Sequence, residues 1–199
     1  LDMPQDMDSV IASLAEPAAT SLHAIYLAER VLHRPLSECR ALVLGGGSIG
    51  AFAALMLSGK GCLDVCLGDT NPLRRQTAEN LGCCEVYDPV GGDLAGEALR
   101  SLAWHGRFLV IGFASGDIPQ LPANIALLKD ASIVGVWYGT WCAKHPDAML
   151  ANAAELGAMI ASGKLRLAEP QTFALDDFVD AFRSIAERRV LGKAVLTFD

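Results

Sequence analysis

The chain predicts an α/β fold built on a doubly wound parallel sheet, and three observations carry that reading. Short, nearly continuous apolar runs alternate with helical stretches, as in a parallel sheet covered by helices on both faces. One run, Ala41-Leu42-Val43-Leu44, ends in Gly45-Gly46-Gly47-Ser48-Ile49-Gly50, a G-x-G-x-x-G turn that opens into the helical stretch 51–57. An acid, Asp69, closes a second apolar run about 20 residues further on. This order suits a phosphate seat. Gly45 allows the tight turn, Gly47 lets the backbone approach a diphosphate, and Gly50 lets the helix lie close to the sheet. The amides of the first turn, at Ser48 and Ile49, and the positive end of the helix then hold the anion. The alternative for these residues is a plain structural turn.

The remaining elements follow from local signals. Residues 9–32 show helical periodicity interrupted at Glu16-Pro17, and proline suits a first turn, so a helix starts there. Strand 41–45 and helix 48–59 flank the glycine turn. Strand 63–68 precedes a helix over 72–81, opened by Asn71-Pro72 and stopped by Leu81-Gly82. Strand 84–88 enters the turn Asp88-Pro89-Val90-Gly91-Gly92-Asp93, and a helix follows as far as residue 102. Strand 107–112, a short helix over 124–128 and strand 132–137 complete the sheet. A long helix spans 146–162. The tail reads strand 170–175, helix 176–188 capped by Asp176, and strand 193–198. The expected divisions are a helical segment 1–40, a dinucleotide-binding domain 41–140, a long helix 141–163 and a C-terminal β-α-β appendage 164–199.

Composition narrows the function. The 199 residues are 52% hydrophobic and 20% charged, enough for a sizeable core and unlike a disordered chain. A net charge of −7, without any basic stripe, argues against nucleic acid as a partner. No apolar run is long enough to cross a bilayer, and the acidic start, Leu1-Asp2-Met3-Pro4-Gln5-Asp6, lacks the basic opening of a signal peptide. A cytoplasmic location is expected. The six cysteines include no C-x-x-C and no histidine at ligand spacing, so they are read as reduced thiols rather than a zinc site. Cys83-Cys84 is a vicinal pair with a redox reading as its alternative.

Longer strings carry a family resemblance. Leu14-Ala15-Glu16-Pro17, Ser21-Leu22-His23-Ala24 and the glycine turn resemble the zinc polyol dehydrogenase branch of the medium-chain dehydrogenase/reductase superfamily. The turn 88–93, the string Gly106-Arg107-Phe108-Leu109-Val110-Ile111-Gly112-Phe113-Ala114-Ser115-Gly116 and Ile118-Pro119-Gln120-Leu121-Pro122-Ala123-Asn124 resemble its quinone oxidoreductases. The resemblance implies a Rossmann-type sheet with strand order 3-2-1-4-5-6. It also implies a separate β-rich catalytic domain, which these residues do not include. One βα unit is missing near 82–90, so about five strands are expected, with strand 84–88 at an edge or in the fourth position.

For the site, Asp69 either accepts the hydroxyls of an adenosine ribose or caps the turn at Asn71-Pro72. The ribose role favours NAD(H), with NADP(H) as the alternative. Arg74 covers the adenine and ribose, or forms with Arg75 a solvated face. By resemblance, Gly91 and Gly112-Phe113-Ala114 line the diphosphate and nicotinamide; ordinary turn chemistry is the other reading. Glu16 resembles a glutamate beside the catalytic metal of the zinc branch, but no bound zinc is expected here. His23, His33, His105 and His145 read as structural or exposed, and Trp137, Tyr138 and Trp141 as core or interface aromatics. No catalytic acid is identified. The implied function is the cofactor-binding part of an oxidoreductase that moves hydride to or from an alcohol or carbonyl, or a quinone or enone. The alternative is a nucleotide-binding or scaffold module without turnover. Strand 132–137, an uncharged edge, implies a homodimer.

Overall fold

A computed structural model describes residues 12–30, 32, 34–68, 83–165, 170–187, 189–190 and 193–198. In chain order these form α1 (Ala15–Glu29), β1 (Arg40–Leu44), α2 (Ser48–Gly59), β2 (Asp64–Gly68), β3 (Cys83–Asp88) and α3 (Leu94–Arg100). Then come β4 (Leu102–Val110), α4 (Ala123–Lys129), β5 (Ser132–Gly135), α5 (Tyr138–Lys144), α6 (Pro146–Ala161), β6 (Gln171–Ala174), α7 (Phe178–Ala186) and β7 (Ala194–Thr197). The expected helix over 72–81 lies outside the described residues.

Five parallel strands form one sheet in the order β2-β1-β3-β4-β5. This is the six-strand order without its first edge strand, and β3 takes the fourth position beside β1. The sheet is wound on both faces, because period-two alternation sends neighbouring side chains to opposite sides. Ala41, Val43, Tyr87 and Leu109 pack under α1, α2 and α6. Leu42, Leu44, Val86 and Phe108 pack with Ala95, Ala98 and Leu99 of α3 on the other face. Strands buried on both faces are mostly apolar, which is why residues 41–44 of β1 read as an unbroken run. The winding direction reverses between β1 and β3, and such a reversal opens a crevice at the carboxyl ends of the strands.

Several boundaries differ from expectation, each for a local reason. β4 begins at Leu102, in place of the helical turn expected there. Leu102 pairs with Cys83, and the register then shifts so that Glu85 faces Arg107. The surplus residues of β4 bulge at His105, whose φ is 59°. Lys129 Nζ secures the entry by donating to the carbonyls of Arg100 and Leu102. At its far end β4 stops at Val110, because Ile111 and Gly112 both turn their amides onto the Asp88 carbonyl, at 2.9 and 3.3 Å. β5 ends at Gly135, and α5, a helix disguised in sequence by Gly139 and Thr140, starts three residues later. The tail helix begins at Phe178 after a 3-10 turn over Leu175–Asp177, so the expected cap at Asp176 is not made; Asp177 takes the N-cap position without a side-chain cap bond.

The tail forms its own two-stranded parallel sheet, β6 with β7, crossed by α7. No helix among the described residues is long and apolar enough to cross a membrane.

Candidate functional site

Three loops meet at the carboxyl end of the sheet: residues 45–47 after β1, 89–93 after β3 and 111–117 after β4. The first is shaped by its glycines. Gly45 has φ +81°, and a methyl group there would lie 2.6 Å from Val90 Cγ2. The Gly45 amide closes onto the Gly68 carbonyl at the end of β2. A methyl group at Gly50 would collide with the Gly45 carbonyl, so only glycine lets α2 start so close to the strand it leaves. Gly47 differs from both. Its backbone is extended, it sits at the N-cap of α2, and a methyl group there would meet nothing within 4 Å. Among the described residues, the space in front of the first turn of α2 is therefore open.

The N-cap makes no side-chain cap bond. The amides of Ser48 and Ile49 belong to the first turn, which has no intrahelical acceptors for its donors. A space facing a helix amino terminus that no side chain among the described residues fills suits a diphosphate. α1 steadies this turn from behind, since Ser21 Oγ donates to the Ile49 carbonyl at 2.8 Å.

The other two loops are zipped together. Asp88, buried at the end of β3, accepts hydrogen bonds from the amides of Val90 and Gly91 at 2.9 and 2.8 Å. Burial raises its pKa, while these two amides hold it down. Ala114 and Ser115 donate to the carbonyls of Pro89 and Val90, and Gly92 donates to Asp117. Gly91 and Gly92 both have positive φ, and a side chain on Gly91 would strike the Asp117 carbonyl and the Phe113 ring. Gly112 backs onto the Pro89 carbonyl at a distance that a methyl group would crowd. Phe113 and Ala114 are exposed on the outer side of this clamp.

The structure thus brings Gly45, Gly47, Ser48, Ile49 and Gly50 into one seat, with Gly91, Gly112, Phe113 and Ala114 gathered in the adjoining clamp. Asp69 and Arg74 lie outside the described residues. Glu16 accepts a hydrogen bond from Thr20 on its own helix at 3.1 Å. Among the described residues no three His, Cys, Asp or Glu side chains converge as a metal-ligand set. The sequence reading missed Asp88 as the organiser of the clamp and Val90 as the wall against Gly45. An aspartate ahead of Pro-x-Gly-Gly was the available signal, because its side chain commonly bonds to amides two and three residues on.

Beside the seat, His23 is buried between aromatic rings: Trp141 at 4.1 Å and Tyr138 at 5.6 Å between centroids. Burial, with Arg30 and His145 adding positive charge, lowers its pKa to about 4 and keeps it neutral. The structural reading of His23 and the packing roles of Tyr138 and Trp141 agree with this geometry. Trp137 does not join them; at 77% exposed it lies outside the core, and of its two readings the interface one remains.

Residues 63–196 match the family described as zinc-binding dehydrogenase. Quinone oxidoreductase-like protein 2 of Bos taurus is 28% identical over 183 residues, covering 92% of this chain and 51% of that protein. The quinone oxidoreductase-like protein 2 homolog of Nematostella vectensis is 33% identical over 123 residues, covering 61% and 34% respectively. The chain spans about a third to a half of the length of these relatives. Among solved structures, the quinone oxidoreductase of Thermus thermophilus, studied also in its complex with NADPH, aligns with a TM-score of 0.75 at 21% identity, covering 100% of this chain and 69% of that one. The quinone oxidoreductase of Pseudomonas syringae pv. tomato gives 0.76 at 21% identity, covering 100% and 67%. At these identities the structural likeness is one of fold. With more than half of its residues matched to the family, from β2 through β7, this chain belongs to the zinc-binding dehydrogenases of the medium-chain dehydrogenase/reductase superfamily.

Proposed function

We propose that this chain is the nicotinamide-dinucleotide-binding part of an oxidoreductase that transfers hydride to or from an alcohol or carbonyl, or a quinone or enone. The observation that carries the reading is the contrast within one turn: Gly45 and Gly50 have no room for a side chain, whereas Gly47 faces open space at a helix amino terminus. Packing explains the first two glycines. A ligand explains the third, because a side chain there would occupy the position of the diphosphate. The neighbouring NADPH complex of the Thermus thermophilus enzyme supports the same reading.

A bound dinucleotide would supply or accept the hydride at its nicotinamide ring. The chain's own part is to hold and orient it. The α2 amino terminus would take the diphosphate, Asp69 with Arg74 would hold the ribose hydroxyls, and the clamp at 112–114 would line the nicotinamide. Asp69 favours NAD(H), since its charge repels a 2′-phosphate. We further assign the exposed β5 edge as the seam of a homodimer. Ile133 there is 41% exposed and the strand carries no charge.

Titration with NADH and NADPH, followed by the fluorescence of Trp137 and Trp141, tests the reading. Saturable binding of either, lost in Gly47→Val, is expected; a Gly47→Val protein that binds as the parent does overturns the seat. Asp69→Ser should shift the affinity ratio toward NADPH. Binding with no turnover in the presence of quinone, enone or alcohol would favour the scaffold reading. Sedimentation of Val134→Lys examines the seam, and an unchanged dimer would place it elsewhere.

A further inference from the structure

Away from the crevice, toward the amino-terminal end of β3, Glu85 is wholly buried. The register sets it directly opposite Arg107 on β4, itself only 4% exposed. Opposite charges side by side in a dry sheet would be expected to pair. They do not approach to ion-pair distance. The Tyr87 hydroxyl donates to Glu85 Oε2 at 2.6 Å, and among the described residues Glu85 Oε1 has no hydrogen-bond partner. Arg107 donates through Nη1 to the His105 carbonyl at 3.1 Å, and its Nε is likewise unpartnered. A carboxylate buried with a bare oxygen is strongly disfavoured, and a neutral carboxyl in that place is disfavoured far less.

We propose that Glu85 and Arg107 form a proton-operated latch in the floor of the sheet: protonated Glu85 rests on Tyr87 apart from Arg107, and loss of the proton draws its free oxygen onto Arg107 Nε. The surrounding groups favour the neutral form. From α1 the Glu29 carboxylate repels a negative charge at Glu85, and Cys39 before β1 and Cys62 before β2 contribute thiols that burial keeps protonated, Cys39 being pushed up to about 12. Lys60, the nearby cation on α2's end, is engaged by Glu29 at 3.5 Å. Burial outweighs the Tyr87 hydrogen bond and the Arg107 charge, and pushes the Glu85 carboxyl up to about 7. An ordinary glutamate titrates near 4.5, so the folded chain keeps a proton that the unfolded chain releases. Stability from this group is complete below about 4.5 and declines as pH rises through about 7.

The test is thermal and urea unfolding of the full chain between pH 5 and 8.5 for the parent and Glu85→Gln, with the side-chain carboxyl carbons followed by NMR. Relative to Glu85→Gln, the parent's folding constant should fall on the order of 100-fold across that range. One glutamate carboxyl should titrate near neutrality, with its midpoint raised in Arg107→Met, which removes the charge but keeps most of the stem. Parallel stability curves for parent and Glu85→Gln would overturn the proposal. If Glu85→Gln fails to fold, the parent's NMR titration decides, and the absence of any glutamate midpoint above about 6 would overturn it.

Discussion

The main sheet and the C-terminal β6-α7-β7 unit are both β-α-β arrangements of similar apolar content, yet they bury very differently. In β1, Ala41, Leu42, Val43 and Leu44 are all buried, as are Val86, Tyr87, Phe108 and Leu109 on the neighbouring strands. No residue of β6 or β7 is buried. On α7 only Ala181 and Ser184 are buried, while Phe178, Val179, Phe182 and Ile185 are each about half exposed or more. The difference lies in layering. Helices on both faces seal a parallel sheet, whereas two strands crossed by one short helix leave a face of each layer open. Apolar content alone does not make a core; a second layer must be there to cover it.

The widest expected gap is in amide hydrogen exchange. Amides of β1, β3 and β4 should exchange only through global unfolding, and those of β6 and β7 should exchange orders of magnitude faster through local opening. Equal protection of the two regions would break the comparison. Next in size is Leu109→Ala, which should cost about 2–5 kcal/mol in urea unfolding because it empties a fully buried position. Within the crevice, Gly45→Ala should cost about 1–3 kcal/mol, from its positive φ and the Val90 contact, while Gly47→Val should leave the melting temperature nearly unchanged and remove dinucleotide binding. The smallest effect is expected at the tail: Phe182→Ser should change stability by no more than about 0.5 kcal/mol and should improve solubility. A large loss there would mean that the α7 face is covered in solution.

The parallel sheet, its two wound faces and the glycine seat were legible in the sequence because each rests on local chemistry. A strand buried on both faces is apolar along most of its length, and a turn without room for a Cβ has to use glycine. The placement of β3 beside β1 was legible only as one of two options, since strand order depends on crossovers. Element ends were less legible. The early start of β4 and the missed α5 arise from a register shift and from packing around Trp141, neither of which leaves a local mark.

The sequence by itself therefore determined the class of fold and the glycine turn after β1, since both follow from residue types at short spacing. The tertiary structure alone decided which glycines serve packing and which faces open space among the described residues. It also bound the 88–92 and 111–117 loops into one clamp. And it set Glu85 in register with Arg107, a juxtaposition of residues 22 positions apart in the chain that only the β3–β4 register produces. Distances between segments far apart in sequence depend on how the layers stack, and no local pattern encodes them.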